Sequence, residues 1–309
     1  MPTNHFDIYP VMLTPFQKDN EVDVNALKEL TEFYIATGST GLFTNCLTGE
    51  MFQLTDNERI LVTKTVVDQV AGRQNVVASG TFGLDQNRNI EFIKRIYDTG
   101  IYGVILNTNQ LATPTESEEV VKRNLSKILD ATGDIPLGVY ECPVPYKRLL
   151  SPELLGWMGE TKRFIFLKDT CCDQDQIVAK LKAVKGTPLQ IFNANISTGL
   201  SSIAAGAAGL GSTSSNFYPE LLSYLSVNLK GDAEKLNKVN TLITIFDSLI
   251  HECYPMSAKY FMQLRGMKIN LDGRIPSGSF SFQDYVKFKE LFKALESLAK
   301  ELDIEIYRF

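Results

Sequence analysis

The feature that most constrains the fold of this 309-residue chain is a junction that recurs along it. Ala36-Thr-Gly-Ser-Thr-Gly-Leu42, Asp98-Thr-Gly-Ile-Tyr-Gly-Val104 and Ala205-Gly-Ala-Ala-Gly-Leu210 each close a helical pattern on a glycine and enter an apolar run at a second glycine. The first glycine suits the left-handed end of a helix, and the second lets backbone approach its neighbour closely. The first two junctions lie 62 residues apart, about two strand-helix units of roughly 31 residues each. A unit repeated in this way predicts a wound parallel sheet.

Short apolar runs predict eight strands, near Tyr9 to Thr14, Gly41 to Asn45, Val76 to Ser79, Gly103 to Leu106, Leu137 to Tyr140, Phe164 to Leu167, Leu189 to Phe192 and Ala208 to Ser212. Between them, Val24 to Ala36, Thr55 to Val70 and Glu116 to Ala131 carry apolar residues on one face and should pack outside. Eight such alternations predict an α/β fold, an eight-stranded (β/α)8 TIM barrel, over residues 1–218. An open doubly wound sheet is the rival, disfavoured because no GxGxxG follows the first strand. From Tyr218-Pro219 the strand signal stops, and residues 219–309 read as a C-terminal helical extension. Within it, Pro255 suits a first helical turn and His251 reads as structural or exposed. The polar loop at 270–278 should cover surface between helices.

Two strand ends carry chemistry. Lys168 closes Lys162-Arg-Phe-Ile-Phe-Leu-Lys168, and 28 residues earlier Tyr140 closes Ile135-Pro-Leu-Gly-Val-Tyr140. If both point into one mouth, they supply an amine to attack a carbonyl and a phenol to carry protons. Alone, a strand-end lysine also fits a solvated end or a phosphate contact, and the tyrosine a core position. A lysine attacks only as the neutral amine, and an ordinary ammonium leaves under roughly 0.1% in that form at neutral pH. The chemistry therefore expects Lys168 to be lodged beneath the barrel mouth. The resulting iminium is an electron sink for carbon-carbon cleavage or its reverse. Near the first glycine-rich turn, Leu47-Thr-Gly-Glu50 places Thr48 and two backbone amides where they can receive a carboxylate, while Glu50 reads as structural.

The balance of the chain excludes other classes. A net charge of -5 with isolated basic pairs gives no footprint for nucleic acid. No apolar stretch approaches the roughly 18 residues of a membrane span, and Met1-Pro-Thr-Asn-His5 lacks a basic segment followed by an apolar one, so a cytoplasmic location is expected. Five cysteines, an odd number in a large chain, argue against a disulfide framework. Cys46, Cys142 and Cys171-Cys172 follow strand ends, which leaves a thiolate metal site conceivable. Only His5 and His251 are available as partners, and no CxxC or HExxH spacing exists, so the expectation is no metal and no cofactor.

Leu47-Thr-Gly-Glu50, Tyr140-Glu-Cys-Pro143 and Leu167-Lys-Asp-Thr170, in this order and spacing, resemble the dihydrodipicolinate synthase and N-acetylneuraminate lyase superfamily of class I aldolases. The likeness runs from Tyr9-Pro-Val-Met-Leu-Thr-Pro-Phe16 to Gly209-Leu-Gly-Ser-Thr213. It implies Lys168 as the Schiff-base nucleophile, Tyr140 as the proton relay, a 2-oxo acid site at Leu47 and Thr48, and a homotetramer. The departures are informative. Leu47 stands where the synthases carry the first of two threonines, Leu111 at their intersubunit tyrosine, and Pro145 at their carboxylate-binding arginine. Thr170 and Gly211-Ser-Thr213 resemble the lyases instead, although their sugar-binding acidic pair is replaced by Ile196-Ser197. Asn193, Asn195, Ser197, Ser212 and Thr213 offer amides and hydroxyls for a polyhydroxylated tail, or for turns and helix caps. The expected partner is thus a small 2-oxo acid such as pyruvate or a sugar acid. The expected reaction is cleavage of a sialate-like or 2-keto-3-deoxy sugar acid to pyruvate and an aldehyde. A dehydratase on the same scaffold is the alternative enzyme, and a noncatalytic 2-oxo acid binder the alternative of another class.

Overall fold

The computed structural model describes residues 5–275 and 280–309. Eight strands, β1 (Asp7–Ile8), β2 (Gly41–Thr44), β3 (Asn75–Ser79), β4 (Gly103–Asn107), β5 (Leu137–Tyr140), β6 (Phe164–Asp169), β7 (Gln190–Asn193) and β8 (Gly209–Leu210), form one parallel sheet. From β2 to β8 each pairs with the next in chain order, and β8 pairs with β1. Between β1 and β2 the ring is drawn together by a parallel bridge from Val11 to Phe43, with Met12 N donating to Phe43 O at 3.0 Å and Phe43 N to Pro10 O at 3.0 Å. The sheet is a nearly closed barrel, which removes the doubly wound alternative.

The expected first strand, Tyr9 to Thr14, is displaced. Pro10 has no N–H to give a ladder, so regular pairing is confined to Asp7–Ile8 against Gly209–Leu210. The recurrent junctions behave as their sequence requires. Gly38, Gly100 and Gly206 have φ of +91°, +91° and +110°. At the second glycine the space is closed: a Cβ on Gly209 would stand 2.1 Å from the Asp7 carbonyl oxygen.

The outer layer is α1 (Val24–Ala36), α2 (Asp56–Val70), α3 (Gln86–Tyr97), α4 (Glu118–Ala131), α5 (Pro152–Glu160), α6 (Gln174–Ala183), α7 (Gly199–Ala204) and α8 (Pro219–Val227). Polar caps start several of them; Thr55 and Glu58 form a reciprocal capping box at α2. Helix α8 lies beyond the expected boundary at 218 yet belongs to the ring, since Ser226 Oγ accepts from Phe6 N beside β1 at 3.0 Å. The extension proper is α9 (Ala233–Ile250), α10 (Met256–Leu264) and α11 (Phe282–Glu301). Pro255 is the cap residue before α10 rather than its first turn.

Two apolar layers result. One fills the space between sheet and helices; the other, with Tyr9, Phe43, Val77, Ile105, Phe166 and Phe192, fills the barrel interior. Phe166 and Phe192 stack there with centroids 4.2 Å apart. The loop expected to cover surface is anchored more deeply: Arg274 N and Ile275 N donate to Glu50 Oε2, and the rest of its expected course, 276–278, lies outside the described residues, as does the N-terminal stretch 1–4. Glu50 is fully buried and paired with Lys259 at 3.0 Å, which is the structural role expected of it. Among the described residues no helix is long and apolar enough to cross a membrane.

Candidate active site

Strand alternation decides which residues face the interior. On β6, Phe166 joins the interior layer and Leu167 the outer one, so Lys168 points inward and Asp169 outward. On β5, Val139 packs outward and Tyr140 inward. The ladder sets Tyr140 directly opposite Lys168. Lys168 Nζ lies 4.4 Å from the centre of the Tyr140 ring and 5.7 Å from that of Phe43, and donates to Cys46 Sγ at 3.4 Å. Its contacts are ring faces and a thiol; among the described residues no carboxylate comes within ion-pair distance. Lys168 and Tyr140 are 4% and 3% exposed. Burial, and then the neighbouring Cys46 and Cys142, hold the Tyr140 phenol well above the ordinary range, so it remains protonated at neutral pH.

Both side chains open into a cavity of about 510 Å³ at the carboxyl ends of the strands, the catalytic face of such barrels. Leu47, Thr48, Thr170 and Asn195 line it with them. Leu47 and Thr48 begin a short 3₁₀ turn, Leu47–Gly49, whose opening amides have no partner within the turn. Thr170 is fixed rather than mobile: its Oγ1 donates to Glu141 O at 2.7 Å and its N to Glu141 Oε2 at 3.1 Å. Asn195 Oδ1 accepts from Ser197 Oγ, Thr198 N and Thr198 Oγ1, so these bonds engage the oxygen of its amide and not the Nδ2.

Two expected binding residues do not reach the mouth. Asn193 is fully buried, with Nδ2 donating to Thr198 Oγ1 at 2.9 Å and Ser202 Oγ at 3.1 Å, while Oδ1 accepts from Asn195 N. Its amide is spent on holding the turn after β7. Ser212 is 1% exposed and absent from the lining; its chain neighbours Gly211 and Thr213 take that place. Alternation at the end of β8 is offset by one residue from the expected register. Leu111 is fully buried in the outer core, so no hydroxyl enters the mouth there.

Other residues were not singled out from sequence. Glu141 and Asp169, following Tyr140 and Lys168 in the chain, turn outward and meet Lys180 of α6 at 2.6 and 2.5 Å. All three are buried. Burial pushes Glu141 up to about 6, with Asp169 repelling it and Lys180 offsetting only part. Burial alone would lower Lys180, but Glu141 and Asp169 outweigh it and hold the ammonium above its ordinary value. The extension supplies the far wall: Asp247, His251, Tyr254 and Pro255 line the cavity, with His251 Nε2 3.6 Å from Asp247 Oδ2. His251, expected to be structural or exposed, is exposed and stands at the rim.

The cysteines do not gather. Cys46 and Cys142 are buried beside Tyr140, burial pushing the Cys142 thiol up to about 11; burial and Asp169 push Cys171 up to about 12. Such thiols are poor sources of thiolate. Among the described residues no three of His, Cys, Asp and Glu are placed to hold a metal ion.

Comparison with known proteins adds to this geometry. The chain is 27% identical over 284 residues, 91% of its length and 96% of the relative's, to the 4-hydroxy-tetrahydrodipicolinate synthase of Trichlorobacter lovleyi. It is 26% identical over 264 residues to 4-hydroxy-tetrahydrodipicolinate synthase 1 of Halalkalibacterium halodurans, 85% of this chain and 88% of that one. A dihydrodipicolinate synthase structure from Bacillus anthracis superposes with a TM-score of 0.85 at 21% identity, covering 94% of this chain and 98% of that one. A prophage protein of the dihydrodipicolinic acid synthase family from E. coli K12, solved in complex with pyruvate, gives 0.83 at 22% identity over the same shares. The match to the dihydrodipicolinate synthetase family runs over residues 5–295, and the chain belongs to that family.

Proposed function

We propose that the protein is a Schiff-base class I aldolase that cleaves a hydroxylated 2-oxo acid to pyruvate and an aldehyde. The observation that carries this reading is the buried Lys168 amine above the Tyr140 ring inside a strand-end cavity. In it, the Lys168 amine attacks the C2 carbonyl, and the carbinolamine loses water to give an iminium. The C3–C4 bond then breaks as the C4 hydroxyl gives up its proton, the electron pair passing into the iminium to form an enamine. Protonation at C3 and hydrolysis release pyruvate. Tyr140 carries protons because a phenol both donates and accepts. The substrate carboxylate belongs at Leu47 and Thr48.

Family membership alone leaves the second substrate open, and the curated relatives quoted are synthases. Support for a hydroxylated tail comes from Asn195 and Thr213 at the mouth, and from Leu47, Leu111 and Pro145 where a synthase-like site would need polar groups. A dehydratase is favoured by one observation, the Asp247–His251 pair at the rim, which can hand a proton to a departing hydroxyl. The resemblance also supports a homotetramer.

The test is a panel of 2-keto-3-deoxy sugar acids and sialate-like acids, with products read by NMR. Release of pyruvate from at least one is expected for the aldolase; retention of the carbon skeleton with loss of water would select the dehydratase. Condensation of pyruvate with aspartate semialdehyde at a rate comparable to either would overturn both. Asn195→Ala should weaken the hydroxylated substrate by about 0.5 to 1.5 kcal/mol, the worth of one neutral hydrogen bond, and leave pyruvate binding unchanged. Ser212→Ala should not discriminate between the two ligands, since its side chain is behind the wall. A competitive binding titration with both ligands checks the pair.

A further inference from the structure

The loop after β5, Cys142-Pro-Val-Pro-Tyr-Lys147, has fewer donors than carbonyls, because Pro143 and Pro145 carry no N–H. Its backbone must be satisfied from elsewhere. Asn109, in the short 3₁₀ turn Thr108–Gln110 after β4, directs its Nδ2 to Cys142 O at 2.8 Å, Val144 O at 2.7 Å and Tyr146 O at 2.9 Å. Two hydrogens serve three carbonyls, so one is shared. The amide has a single orientation, since all three carbonyls only accept and its Oδ1 accepts from Gln110 Nε2 at 3.0 Å. Asn109 is 1% exposed. Among the described residues it is the only side chain from outside the loop that bonds the backbone between Cys142 and Tyr146. Beyond that span the loop is tied by others: Thr108 Oγ1 donates to Arg148 O at 2.8 Å, and Lys147 Nζ to Thr170 O at 2.8 Å. Pro143, Val144 and Lys147 line the strand-end cavity, so the stretch that Asn109 gathers is part of its wall. The strand ladder, not this loop, sets Tyr140 opposite Lys168.

We infer that Asn109 is a positioning residue for substrate selection: its amide folds residues 142–146 into the wall against which the substrate tail lies, while Lys168 and Tyr140 keep their places without it. A single buried side chain on the β4 loop thus shapes the part of the cavity contributed by the β5 loop. The inference rests on the reading above for the chemistry of the tail, and adds to it the residue that sets the wall.

Borohydride trapping read by intact mass separates wall from nucleophile when run with two probes: pyruvate, which has no tail, and 2-keto-3-deoxygluconate, which has a hydroxylated one. Adducts of the intact acid and of pyruvate cleaved from it both count. Asn109→Asp keeps the shape of the side chain but removes both hydrogens, and Asn109→Ser keeps one donor. In Asn109→Asp the 2-keto-3-deoxygluconate concentration for half-labelling should rise about 10-fold or more while that for pyruvate stays within about 2-fold, a displacement of about 1 Å being enough for such an effect. Asn109→Ser should fall between. Val144 is 45% exposed, so Val144→Trp thickens the wall without touching the core, and it should weaken the same probe and spare pyruvate. Trypsin gives a readout that needs no ligand: the bonds after Lys147 and Arg148 should be cut faster in the Asn109 variants, because cleavage requires the loop to open. Wild-type labelling by 2-keto-3-deoxygluconate in a folded Asn109 variant, or an equal loss for both probes, would overturn the inference. Wild-type labelling of Val144→Trp, or unchanged cleavage by trypsin, would overturn it as well. Should Asn109→Asp fail to fold, Asn109→Ser and Val144→Trp decide by the same criteria. A wild-type protein labelled by neither probe would overturn the imine reading instead, and one labelled by pyruvate alone would remove this sugar acid from the proposed substrates; in both cases trypsin still decides whether Asn109 holds the loop.

Discussion

Lys168→Ala is expected to abolish labelling by pyruvate and borohydride, leaving the intact mass unchanged where the wild-type protein gains one reduced pyruvate adduct. The expectation is absolute because the imine needs a primary amine in reach of a carbonyl held in the cavity. One other lysine, Lys147, lines the same cavity, so the experiment has a definite competitor. Lys147 is exposed and its Nζ donates to Thr170 O at 2.8 Å, a contact that holds the ammonium at the rim. Lys168 is buried among the rings of Tyr140 and Phe43. Peptide mapping of the reduced adduct should place the label on Lys168. A label that survives Lys168→Ala and maps to Lys147 would move the nucleophile and, with it, the proton-carrying role of Tyr140.

Lys180→Met should destabilise the fold by about 3 to 5 kcal/mol, the cost of breaking a buried ion pair by removing one partner. The loss is large because Lys180 is shared: Glu141 and Asp169 would be left facing each other, both buried, with no cation between them. Its pH dependence identifies the cause. In the variant Glu141 loses the cation that offsets part of its rise, so its folded-state pKa stands further above its unfolded one and protonation favours the folded state. The stability is present below the unfolded pKa and is lost as pH rises through the folded one. The same sign holds in the wild-type protein for Glu141, whose contribution is lost as pH climbs from the ordinary carboxylate range through about 6. Thermal melts at pH 7 and pH 5 should therefore show the gap between variant and wild type narrowing in acid. A gap that is constant or widens would assign the destabilisation to lost packing by the lysine stem.

The barrel was legible because its signals are local. Each strand-helix junction carries its own glycines, and Leu137–Tyr140 and Val24–Ala36 have the ends their sequence implies. The shared position of Lys168 and Tyr140 at one mouth was legible for the same reason, each residue closing its own apolar run. What escaped is what only the closed ring brings together. Lys180 reads as one of two lysines on α6, and its burial follows from sharing a face with Ile177, three residues before it, packed over the outward carboxylates. Tyr254 is 86 residues from Lys168 and 206 from Thr48, in a segment that breaks one helix and begins another. Nothing in its neighbours points to a cavity. Asn193 and Ser212 were misplaced for a different reason: at the frayed ends of β7 and β8 a shift of one position exchanges inside for outside, and polar residues carry no apolar pattern to set the phase.

Adjacent residues on β5 and β6 answer to different demands. Tyr140 and Lys168 face the strand-end cavity, while Glu141 and Asp169, next in the chain, hold the two strands to α6. Chemistry and cohesion are thus written on alternating letters of the same words. A lineage of such barrels can acquire new substrates by changing inward positions singly, without loosening the fasteners behind them. A length change is another matter, since one inserted residue before Tyr140 would bring a carboxylate into the lumen and send the phenol outward. Evolution of this scaffold by substitution is therefore cheap at its strand ends, and evolution by insertion there is closed to it.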